Sequence, residues 1–177
     1  MLFYSKTSAQ VEGYVSGKKY ILDSISVKGL KSFSDQTVIT YSGLKLGQNL
    51  YLPGEETGTI INKLWKLDLF SDINFYATKV DGDKISIEIE ITELPTLSNV
   101  KIQGVKKSKI QSIKDDTDLK SGKKLSESFI TNTKNYLISK YQKEGFLNTK
   151  VHLNTEADST GSNQFNLIVN VDKGDRV

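Results

Sequence analysis

The chain contains no cysteine, which excludes disulfides, thiolate metal sites and cysteine nucleophiles. It contains one histidine, His152, between Val151 and Leu153 on what reads as the outward side of a strand. A lone imidazole with no carboxylate or thiol beside it makes neither a metal set nor a general base. Arginine occurs once, at Arg176, although lysine and arginine together number 24. Base-reading and bidentate phosphate contacts favour the guanidinium, so the scarcity speaks against a nucleic-acid partner. No apolar run approaches the roughly 18 residues that a spanning helix needs, because the longest apolar stretches alternate with polar residues.

What is present is ordinary for a folded protein: 37% hydrophobic and 25% charged residues over 177 positions. That length suits one domain or two small ones. The net charge of +3 is unevenly spread. Residues 1–95 carry 10 lysines against 12 acids, for −2, whereas residues 96–177 carry 14 basic residues against 9 acids, for +5. The asymmetry hints at two domains. The first ten residues, MLFYSKTSAQ, are too short for a whole signal peptide, yet Thr7-Ser8-Ala9 resembles a small-residue cleavage site. Residues 1–18 are read as a leader, either a signal-peptide remnant or a disordered start.

The strongest signal is a repeat. "ISVKG", Ile25 to Gly29, returns as "VKIQG", Val100 to Gly104, 75 residues later. After Gly29, Ser34 can cap a short helix carrying Val38, Ile39 and Tyr41 and stopped by Gly43; after Gly104, Ser108 precedes Ile110 and Ile113. A longer helix follows in each copy. Pro53 can sit in its first turn, ahead of an apolar stripe of Ile60, Ile61, Leu64, Trp65 and Leu67. In the second copy Ser126 caps a stripe of Phe129, Ile130, Thr133, Leu137 and Tyr141, and Gly145 ends the helix. Each copy closes on a hairpin. Ile73, Phe75 and Ala77 alternate with polar residues, Asp81-Gly82 turns the chain, and Ile85, Ile87, Ile89 and Ile91 spell a strand buried on one face. Val151 and Leu153 lead through the polar stretch 158–163 to Phe165, Leu167, Val169 and Val171.

The unit is therefore strand, helix, helix, strand, strand, used twice, an α+β design with a three-stranded mixed sheet packed on two helices. Boundaries are expected at 19–95 and 96–177. Leu94-Pro95 forms the stop between them, since proline donates no ladder bond.

Other motifs carry no chemistry. "LKSGKKLSES" lacks the first glycine and the hydroxyl residue of a phosphate loop, with Thr117 and Lys124 in those places. Asp115, Asp116 and Asp118 lack the glycine and bidentate glutamate of a calcium loop and read as a solvated turn. Trp65 reads as core. In "GEETG", residues 54–58, three residues separate the glycines and the glutamates would repel phosphate, so a helix start is the better reading. No catalytic constellation, metal set or cofactor loop can be assembled.

The twofold order, with "VKG" and "IQG" closing the first strands and "LWKLDLFSDINF" and "YQKEGFLNTKV" joining second helix to second strand, resembles POTRA domains. "KLDLF" departs from the family in lacking the glycine that Gly145 keeps. The resemblance spans residues 19–177. It implies periplasmic modules attached to a carboxy-terminal outer-membrane barrel, which receive unfolded outer-membrane proteins and dock accessory lipoproteins. Alternatives are the POTRA region of a secretion barrel, or a passive spacer. It also implies that the second strand of each unit is a sheet edge open to strand addition. Those edges map to Ile73, Asn74, Phe75, Tyr76, Ala77 and Thr78, and to Lys150, Val151, His152, Leu153 and Asn154.

Overall fold

A computed structural model of the chain describes residues 11–177. The described residues divide into two compact units, 11–93 and 94–177. The leader residues 1–10 lie outside the described residues. Residues 11–18, expected to be disordered, pack onto unit 1: the Tyr14 ring stacks on Tyr20 at 6.1 Å and its hydroxyl donates to the Leu52 carbonyl at 2.7 Å. The Val15 amide donates to the buried Tyr20 hydroxyl.

Unit 1 runs β1 (Lys19–Lys28), α1 (Asp35–Ser42), β2 (Asn49–Tyr51), α2 (Glu55–Trp65), β3 (Phe70–Asp81) and β4 (Lys84–Glu93). The sheet order is β2-β1-β4-β3, with β1 parallel to β4 and the other pairs antiparallel. The strict alternation of β4 puts Ile85, Ile87, Ile89 and Ile91 against the core, each at most 2% exposed. Leu22, Val38, Leu50, Ile60 and Leu64 close over them from β1, β2 and the two helices. Burying each such side chain contributes about 1.5–3 kcal/mol, which lets a core this small outweigh the chain entropy.

Unit 2 runs β5 (Thr96–Gln103), α3 (Lys107–Asp116), α4 (Glu127–Lys143), β6 (Lys150–Ala157) and β7 (Gln164–Asp172), in the sheet order β5-β7-β6. Its core gathers Leu97, Ile113, Leu137, Leu167 and Val169. The seam falls where Leu94 and Pro95 interrupt the ladders of β4 and β5.

Local rules account for most boundaries. Ser34 caps α1 by accepting from the Thr37 amide, and Gly43 ends it at φ 76. Ser126 caps α4 by accepting from the Phe129 amide. Several expectations need correction. Unit 1 has four strands rather than three, because Asn49–Tyr51 pairs with Lys19–Ile21. Three residues are too few for alternation to register, and the counterpart in unit 2 shrinks to one bridge between Thr96 and Lys124. Ser108 is not a cap: α3 starts a residue earlier, behind Lys106. Pro53 precedes the Gly54 cap of α2 rather than sitting in its first turn. Trp65 is 41% exposed because it is the last helical residue, on a stripe whose core contact is made by Leu64.

Gly29 and Gly104 hold equivalent places. Each follows the first strand with positive φ, 87 and 79, and a Cβ on either would overlap a carbonyl oxygen of the last strand, that of Ile91 or Val171. Glycine is required twice over, by conformation and by contact. Gly122 has a similar φ of 88 with open space around it. Gly104→Ala should therefore destabilise unit 2 by about 3 kcal/mol, and Gly122→Ala by about 1 kcal/mol. Denaturant unfolding of the two variants measures the difference, and equal losses would remove the steric part of the argument.

Candidate functional site

The strands that could accept another chain are the sheet edges, whose outer backbone groups have no ladder partner. In unit 1 one edge is β3, paired only to β4. Ile73, Phe75 and Ala77 face β4 residues Ile91, Ile89 and Ile87 on the core side, while Asn74 and Tyr76 face Glu90 and Glu88 on the outer side. Ile73 is buried, Phe75 and Ala77 are half-buried, and Tyr76 is 39% exposed. Thr78 sits in a register shift between Ala77 and Lys79, its hydroxyl donating to the Ser86 carbonyl. A second shift lies between Phe70 and Asp72.

The outer face of this edge is acidic. Glu88 pairs with Lys28 at 2.7 Å, and the Asn74 amide donates to Asp72 at 2.8 Å. Burial, followed by the Glu90 carboxylate, pushes the Tyr76 hydroxyl above the ordinary phenol value.

In unit 2 the corresponding edge is β6. Its ladder with β7 runs from Lys150–Asp172 to Ala157–Phe165 without a shift. Val151 is buried and Leu153 half-buried, whereas Lys150, His152 and Asn154 are exposed. The structure thus brings the sequence-predicted residues together as two separate rows, five on β6 and six on β3. Bulges twist an edge away from would-be partners, so the unbulged β6 is the better template for a straight incoming strand. Among the described residues no group of three His, Asp or Glu side chains could hold a metal ion. No helix of the described residues is long and apolar enough to cross a membrane.

Sequence reading passed over Glu93. Its carboxylate is 3% exposed and accepts the backbone N–H groups of Lys31 (2.7 Å), Ser32 (2.9 Å) and Phe33 (3.2 Å). The signal was available: Glu93 continues the parity of Ile85 to Ile91 and so belongs on the core face. Burial alone would push its carboxyl up, but those N–H groups outweigh burial and hold it below the usual glutamate range.

Comparison with known proteins agrees with this architecture. Residues 95–174 match the POTRA family model, described as a surface antigen variable number repeat. The chain as a whole has the fold of two POTRA domains from the periplasmic region of Omp85 of Anabaena. The TM-score is 0.50 at 15% identity, covering 92% of this chain and 100% of that one. It likewise resembles the amino-terminal domain of Omp85 from Thermosynechococcus elongatus, with a TM-score of 0.53 at 15% identity, covering 89% of this chain and 64% of that one. The chain thus has the fold of a tandem pair of POTRA domains, and its second unit matches the family model.

Among curated proteins it is similar to the outer membrane protein assembly factor BamA of Nitratidesulfovibrio vulgaris, at 27% identity over 117 residues. That match covers 66% of this chain and 14% of the relative.

The Glu93 arrangement has a measurable consequence. Its folded carboxyl titrates below the ordinary value of 4.5, so the stability it supplies is present above that pH and is lost as the pH falls through the lowered folded value. Glu93→Ala should cost about 1–3 kcal/mol at pH 7 by leaving buried donors unpaired. Glu93→Gln should flatten the acid limb of the stability curve, read by thermal unfolding between pH 3 and 7; an unchanged limb would show that the carboxylate is not the titrating group.

Proposed function

We propose that the chain is a periplasmic receptor region of an outer-membrane protein assembly factor, working by strand addition rather than by catalysis. Extended segments of unfolded outer-membrane proteins would pair with the outer backbone of β6, and less readily with bulged β3. Accessory lipoproteins of the assembly machinery would dock on the remaining surfaces. The full-length protein would be held at the outer membrane by a carboxy-terminal barrel.

The observation that supports this best is the uninterrupted edge of β6, with Val151 anchored in the core and Lys150, His152 and Asn154 open to solvent. Backbone pairing recognises an extended conformation more than a sequence, which suits a receptor for many clients. The outward side chains His152 and Asn154 would lend only weak selectivity. The match to an assembly factor favours this over a secretion role.

Adjacent residues of a strand point their N–H groups to opposite sides, so proline at His152 and at Leu153 separates two effects. One substitution removes a bond to β7 and unfolds the unit. The other removes a bond to the client and leaves the unit folded. The folded variant should capture a chemically unfolded barrel protein about tenfold less well, as read by photo-crosslinking from Asn154, because about 1.4 kcal/mol is within reach of one or two lost backbone bonds. Undiminished capture by the folded variant would exclude β6 as the receptor.

A further inference from the structure

Unit 1 fills the connection between β1 and α1 with its own anion, and unit 2 does not. The two glycines lying against the Ile91 and Val171 carbonyls align the repeats, so the residue two places on is Glu93 in unit 1 and Lys173 in unit 2. Where Glu93 gathers three backbone N–H groups, its counterpart is an ammonium.

The connection itself also differs. Helix α3 begins at Lys107, three residues after Gly104, whereas α1 begins at Asp35, six after Gly29. Lys106 caps α3 without a side-chain hydrogen bond, and the first turn holds no acid. Among the described residues the N–H groups of Lys106, Lys107 and Ser108 have no acceptor.

Lys106, the first of the three, also lines a cavity of about 330 Å³, walled with it by Lys109, Lys173 and Arg176 and by the rings of Tyr141 and Phe146. The Lys173 ammonium sits 5.4 Å from the centroid of Tyr141 and 5.2 Å from that of Phe146. The two rings meet edge to face at 6.3 Å, forming an apolar floor. Glu144 is the one carboxylate in the wall. Among the described residues none of the four cations makes an ion pair with it or with any other acid. Four basic residues against one carboxylate in the wall of a concave site give it a positive potential that an incoming anion relieves.

We propose that this pocket binds a carboxylate of an acidic peptide segment from a partner protein, in the place that Glu93 takes within unit 1. A carboxylate is favoured because the sister connection already accommodates one, through both of its oxygens at Ser32. The aromatic floor suits an apolar neighbour of that acid along the same peptide. The site is separate from the β6 edge and does not depend on the strand-addition reading.

The test is titration of the isotope-labelled 177-residue chain, followed by amide chemical shifts. The probes are a short capped peptide with one glutamate between leucines, its glutamine analogue, inorganic phosphate, and phosphatidylglycerol vesicles. The glutamate peptide should shift the amides of Lys106, Lys107 and Ser108 saturably, and the glutamine analogue should bind about tenfold more weakly. Lys173→Glu installs the arrangement of unit 1 and should abolish binding with the fold intact. Lys109→Gln, at an exposed position, should weaken it severalfold and decides the matter if Lys173→Glu disturbs the fold. Equal binding of the two peptides, undiminished binding by folded Lys173→Glu or Lys109→Gln, or a response to phosphate or vesicles alone would each overturn the proposal.

Discussion

Each unit depends on one pairing: the strand that opens it lies parallel to the strand that closes it, β1 with β4 and β5 with β7. A parallel pair cannot be joined by a tight turn, so the chain must cross over, and in both units it does so through two helices. The closing strand then sits inside the sheet, which is why β4 and β7 carry the most regular apolar alternation. The hairpin strand between crossover and closure has one side left to occupy and becomes an edge. The edges considered for binding are therefore a consequence of topology. The same pairing fixes Gly29 and Gly104, since the chain leaves the first strand pressed against a carbonyl of the last.

Much of this was legible because it rests on period and punctuation. The isoleucines of β4, the glycines at 29, 43, 104 and 145, and the caps Ser34 and Ser126 are signals carried by one or two residues whose physics allows few alternatives. What was not legible depends on contacts distant in sequence. The three residues of β2 become a strand only because β1 offers them an open edge. The order of residues 11–18 comes from Tyr20 and Leu52. Trp65 was misjudged because an apolar residue at the end of a stripe keeps the period while losing the core. For the candidate site, sequence could name the edge residues through the repeat, but not the bulges that distinguish one edge from the other.

That distinction separates the two edges in geometry and charge. The β3 edge is twice shifted in register and backed by Glu88 and Glu90, so an incoming strand would meet an irregular ladder and negative charge. The β6 edge offers a regular ladder, with Lys150 and His152 outward, in the half of the chain whose net charge is +5. Two units with the same crossover thus present contrasting hairpin edges. Edge protection is stronger in unit 1, as expected if unit 2 is the one that must leave an edge usable.

The divergence at positions 93 and 173 follows the same logic at the scale of one side chain. The backbone leaving the first strand exposes N–H groups in both units, and such groups must find an acceptor in the protein, in water or in a ligand. Unit 1 meets the requirement internally through Glu93, at the expense of burying a charge, and so closes that surface to other anions. Unit 2 shortens the connection, leaves the donors without a partner among the described residues, and sets Lys106 in the wall of a cavity shared with Lys109, Lys173 and Arg176. Self-repulsion among those cations is offset only at Lys173, over the Tyr141 and Phe146 rings, because none of the four is ion-paired among the described residues. A basic pocket whose cations find no acid among the described residues is accounted for by an external anion, and the carboxylate already seated in the sister unit indicates its chemistry.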